Sequence, residues 1–174
     1  MVTYICNTSI TNGEIMGLSI ESTKSKITAL KKVHEKKAEL NKHRSGLLKR
    51  IPNIGEYEIF EKGHVTLEDL AYLTAFTDCE FALLKGKKND ILFHGERNKC
   101  CFDTNISEYL RSHKYKLYAH SHPYEDNPVP SVADRTTLED IGQESSLIIS
   151  ATTFRTTKYS NNQCLDYLLK GEEV

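Results

Sequence analysis

None of the five cysteines stands in a C-x-x-C pair, and the one adjacent pair, Cys100-Cys101, fits neither a zinc ribbon nor a disulfide framework. Reduced thiols are the simpler expectation. No stretch approaches the roughly 20 consecutive apolar residues of a membrane-spanning helix, and residues 1–17 hold no apolar core of signal-peptide type. The expectation is a cytoplasmic protein with no membrane partner, with signal-less export left open. A Gly-rich phosphate loop, a nucleophile elbow, an aromatic RNA-binding motif, internal repeats and low-complexity tracts are also missing. Length excludes more, since 174 residues suffice for one domain plus an appendage but not for an eight-stranded α/β barrel of about 250.

Net charge is nearly absent as well, but it is unevenly spread. Residues 21–50 hold ten Lys or Arg against three acids, whereas residues 51–174 hold thirteen against twenty. A +7 segment therefore precedes a −7 one. Residues 22–49 are rich in Lys, Glu, Ala and Leu, with Ser22 or Thr23 as N-cap and no proline before Pro52, which predicts one long basic helix. Its thin apolar stripe (Ile27, Leu30, Val33, Leu40, Leu47) leaves open self-association, docking on the rest of the chain, or a solvated face. Pro52 to Gly55 marks a boundary between an N-terminal segment, 1–55, and a domain, 56–174.

Within that domain Thr66-Leu67-Glu68-Asp69 predicts a capping box opening a helix through Phe76. Residues 80–85 and 91–93 predict an antiparallel hairpin, residues 105–112 a short helix and 115–121 a strand. Residues 131–141 predict a helix and 146–150 a buried strand, with 154–158 pairing through a turn at Asn161-Asn162 with 165–169. The strand over 115–121 ends in His120-Ser121-His122-Pro123. Side chains two apart on a strand share a side, about 7 Å apart at the Cα level, so His120 and His122 can grip one metal ion. Ser131-Val132-Ala133-Asp134 follows, where a helix should begin. Asp134 there would complete a two-His, one-carboxylate set with an open fourth position, the arrangement of catalytic zinc.

An upstream Glu, then His-x-His-Pro, then Ser-x-x-Asp resembles the signature of the JAMM (MPN-plus, or JAB-domain) zinc metalloproteases, and the Pro-rich loop between resembles that of their bacterial RadC-like branch. The similarity covers about residues 63–151, with Glu80 as the upstream Glu. Eight residues separate His122 from Ser131 where seven are usual, and Leu83 stands where the family has Gly. The resemblance implies an α/β fold in three layers, a curved mixed sheet flanked by helices, here preceded by the long helix. It implies one zinc per chain on His120, His122 and Asp134, Glu80 as general base, Ser131 stabilising an oxyanion, and a protein or peptide substrate cut at a peptide or isopeptide bond. The barrel hydrolases that also carry His-x-His are excluded by length.

Other readings stay open at this level. Lys116 and Tyr118 share the parity of the two His, so the pair also fits the solvent face of a strand. Ser-x-x-Asp is itself a capping box. Glu96 and Glu125 compete with Glu80, and His34, His43, His64, His94 and His113 are expected to face solvent. A non-catalytic binding module and a metal-dependent nuclease or phosphodiesterase are the rival functions, although nucleic acid is not the expected partner.

Overall fold

The computed structural model describes residues 41–161. Over these residues the chain forms four helices and one six-stranded mixed sheet. In chain order they are α1 (Lys42–Leu48), β1 (Tyr57–Glu61), α2 (Leu67–Thr77), β2 (Phe81–Lys85) and β3 (Asn89–His94), then α3 (Thr104–Ser112), β4 (Lys116–His122), α4 (Val132–Asp140), β5 (Ser145–Ser150) and β6 (Thr156–Ser160). The strands lie in the order β1-β3-β2-β4-β5-β6. Only β4 and β5 run parallel, joined by α4, which crosses over between them.

Two apolar layers sandwich the sheet. On one face Leu70, Ala71 and Leu73 of α2 meet Phe81, Leu83, Leu92, Ala119 and Ile149, with Leu47 of α1 joining them. On the other, Leu110 of α3 and Leu138 of α4 meet Ala82, Leu84, Ile91, Leu117, Ile148 and Tyr159. Helices therefore cover both faces. Among the described residues no helix is long and apolar enough to cross a membrane.

Local chemistry sets the element ends. Thr66 and Asp69 form the expected capping box at the start of α2. The β2–β3 turn needs Gly86, because a Cβ there would come within 2.5 Å of the Tyr115 ring and 2.6 Å of the Asn89 carbonyl. α3 starts on Asp103, whose side chain accepts the Ile106 N–H at 2.7 Å.

Several expectations need correction. A helix does not run unbroken through residue 41: Asn41 is extended (ψ 162°) and its side chain accepts the Arg44 N–H at 2.8 Å, so a fresh helix begins at Lys42. Asn competes for backbone partners in this way. Residues 22–40 of the expected helix lie outside the described residues. β1 was not foreseen, although Tyr57-Glu58-Ile59-Phe60-Glu61 between Gly55 and Gly63 carries the aromatic and β-branched signature of a strand. The strand expected at 154–158 begins two residues later and pairs with β5, while its expected partner at 165–169 lies outside the described residues. His94 is buried rather than solvent-facing, with Nδ1 2.8 Å from the Pro52 carbonyl and its ring stacked on Phe81.

Candidate metal centre

Simple alternation along β4 would put His120 and His122 beside Lys116 and Tyr118. The pairing with β2 breaks that alternation, for Leu84 lies opposite Leu117 and Leu83 opposite Ala119, leaving Tyr118 as the extra residue of a bulge. A bulge turns every later side chain to the other side. His120, opposite Ala82, consequently shares the α3/α4 face with Leu117, and His122 follows it. Ser121 points the opposite way, where its Oγ meets Thr74 Oγ1 and accepts the Phe81 N–H at 2.9 Å. That bond ties the end of β4 to the start of β2.

Both imidazoles are buried, with Nε2 atoms 3.1 Å apart. Asp134 reaches them from the first turn of α4, its Oδ1 3.0 Å from His120 Nε2 and its Oδ2 3.6 Å from His122 Nε2. The capping box aims it: Ser131 N–H donates to Asp134 Oδ2 at 2.6 Å, and Ser131 Oγ accepts the Asp134 N–H at 3.2 Å. Cap and site thus use the same bonds. The two Nε2 atoms lie 3.1 Å apart, close to the edge of about 3.3 Å between ligands of a tetrahedral ion with metal–ligand bonds of about 2.0 Å, and Asp134 turns one oxygen toward each ring. Among the described residues this is the only cluster of three such donors close enough to hold a metal ion.

Charge follows from geometry. Burial opposes ionisation of Asp134, but hydrogen bonds from both His hold its carboxyl well below the usual range. Burial lowers the pKa of His120, favouring the neutral ring. Burial also works against protonated His122, yet hydrogen bonds to Asp134 and Glu125 raise it to about 10. Without a metal, the cluster therefore keeps a proton on His122 that a divalent cation would displace.

Glu80 immediately precedes β2, its backbone clamped on both sides: Glu80 N–H donates to the Glu96 carbonyl at 2.9 Å, and Gly95 N–H donates to the Glu80 carbonyl at 2.8 Å. Its side chain is only 4% exposed. It lines a cleft of about 150 Å³ together with His122, Asp134, Ser131 and Cys100. Burial, reinforced by Asp134 and Glu125 and opposed by His122, pushes its pKa up to about 8. Its rivals are otherwise engaged. Glu96 is exposed and pairs with Lys99 at 3.1 Å, and Glu125 Oε2 lies 3.0 Å from His122 Nδ1 while accepting the Val129 N–H at 2.9 Å.

Two contacts of the His pair escaped the sequence reading, which named Glu125 only as a rival of Glu80. Glu125 touches His122 because the loop after Pro123 doubles back, a path no local pattern encodes. Tyr159 stands edge-on to His120, ring centroids 5.6 Å apart, from a strand 39 residues away. Cys79, Cys100 and Cys101 are free thiols, Cys100 buried and Cys101 exposed. No protein-family model, no curated protein and no solved structure matches this chain.

Proposed function

We propose that the protein is a zinc-dependent hydrolase of the JAMM type that cleaves a peptide or isopeptide bond. The observation that carries this reading is a buried carboxyl, Glu80, with a pKa pushed up to about 8, lining one cleft beside three donors close enough to hold one metal ion. Zinc held by His120, His122 and Asp134 would polarise an attacking water and the scissile carbonyl. Glu80 would serve as the base that takes a proton from the attacking water and returns it to the leaving amine, a role suited to a group titrating near neutrality. Ser131 Oγ already accepts the Asp134 N–H, so its own hydrogen is free to donate to the oxygen on which negative charge develops. A module that only bound a partner would bear the cost of burying Glu80 without using it, which supports catalysis.

The test is Glu80→Gln. Zinc content and fold should persist while turnover on peptide or isopeptide substrates drops about 10²-fold or more. Unchanged turnover removes Glu80 from the mechanism. A parent protein that leaves every peptide and isopeptide substrate intact yet hydrolyses phosphodiesters would favour the nuclease reading.

A further inference from the structure

Glu125 has its side chain 45% exposed, so on its own it would sample many rotamers, yet its Oε2 sits 3.0 Å from His122 Nδ1. The turn between β5 and β6 explains the order. Thr152 Oγ1 lies 3.1 Å from the Glu125 carbonyl and 3.0 Å from Asp126 Oδ1, a donor shared between them. Thr153 Oγ1 donates to the Asp126 carbonyl at 2.6 Å, and Arg155 Nη1 donates to Asn127 Oδ1 at 3.0 Å. Ala151 N–H donates to the carbonyl of His122 itself at 2.9 Å. The turn is held in its own shape by Ser150 Oγ, which accepts the N–H of Thr152 at 3.1 Å and of Thr153 at 3.0 Å.

We infer that Glu125 is a positioning residue that fixes the metal-binding tautomer of His122, and that the 151–155 turn braces it there through Thr152. The inference rests on the zinc reading above and extends it to groups that do not touch the metal. With Nδ1–H donating to Glu125, the lone pair of His122 is confined to Nε2, the atom that faces His120 and Asp134. A carboxylate behind a ligating imidazole both selects the tautomer and raises ligand basicity, and its loss typically costs 10–100-fold in metal affinity. Thr152 acts one step further out, since removing its hydroxyl frees the backbone that carries Glu125.

Competition with a chromophoric chelator measures zinc affinity directly. Glu125→Ala should weaken it about 10–100-fold. Glu125→Gln keeps an acceptor oxygen and should restore most of the affinity. Thr152→Val should weaken zinc binding in the parent and add no further loss in the Glu125→Ala background, because it acts only through Glu125. Equal zinc affinity in the parent and Glu125→Ala overturns the inference, as does a Thr152→Val loss of the same size in both backgrounds. A parent that takes up no zinc overturns the metal reading itself, and the brace with it.

Discussion

Glu80 is ordinary in the unfolded chain and unusual in the folded one, and that difference has a sign. Its pKa rises from 4.5 to about 8 on folding, through burial first and the neighbouring acids second. Between those values the folded state keeps a proton that the unfolded state has lost, so stability falls as pH rises through the window. Glu80→Gln cannot ionise. The metal-free variant should match the parent near pH 4.5 and exceed it above pH 8 by on the order of a few kcal/mol. Denaturant unfolding at both pH values checks this, and identical curves for the two proteins would contradict it. At this scale the sequence was informative because a motif names residue types in order: His122, Asp134, Glu80 and Ser131 line one cleft, and His120 clusters with His122 and Asp134. Glu125 as partner of His122, and Tyr159 as neighbour of His120, depend on where a loop and a distant strand come to rest.

The elements deliver these residues through their ends and irregularities. Helix α4 supplies Asp134 through its capping box, and β4 presents both His only because Tyr118 bulges. Gly95 does the same for Glu80: a Cβ on it would meet the Lys99 carbonyl at 2.7 Å, the Cys100 Cα at 3.1 Å and the Glu80 carbonyl at 3.1 Å. Gly86, at the opposite end of β2, is equally crowded but far along the strand from the cleft. Gly95→Ala and Gly86→Ala should each destabilise by about 1–3 kcal/mol. Only Gly95→Ala should also lower turnover per zinc-loaded molecule, and equal turnover in the two variants would detach Gly95 from the site. Capped helices were readable because Thr66 and Ser131 announce themselves with an acid three residues on. The bulge was not, since Lys116 to His122 reads as plain alternation and only the register with β2 exposes the extra residue. Asn41 was overlooked for a related reason: inside a run of good helix formers its capping habit looked like one more polar position.

Taken whole, the molecule ties its basic N-terminal region to the sheet at a definite point. Leu47 of α1 is 1% exposed in the core beside α2, and His43 Nε2 lies 3.0 Å from Asp69 Oδ2, the capping carboxylate of that helix. Truncation before Asn41 keeps both of these contacts. Truncation before Ile51 takes Leu47 with it and should cost about 2–5 kcal/mol. Equal midpoints for the two truncations would mean that α1 rests on the domain without supporting it. Helices on both faces of a mixed sheet were what the family resemblance implied, whereas the edge strand β1 and the antiparallel pairing of β6 with β5 follow from which neighbours remained to be covered.

Whether His120, His122 and Asp134 together hold one zinc ion is decided by elemental analysis of the purified, zinc-loaded protein. About one zinc per chain is expected in the parent and in His113→Ala, whose ring lies on the exposed end of α3, and none in His122→Ala. A parent without zinc after loading, or a His122→Ala variant that retains the full complement, would contradict that expectation.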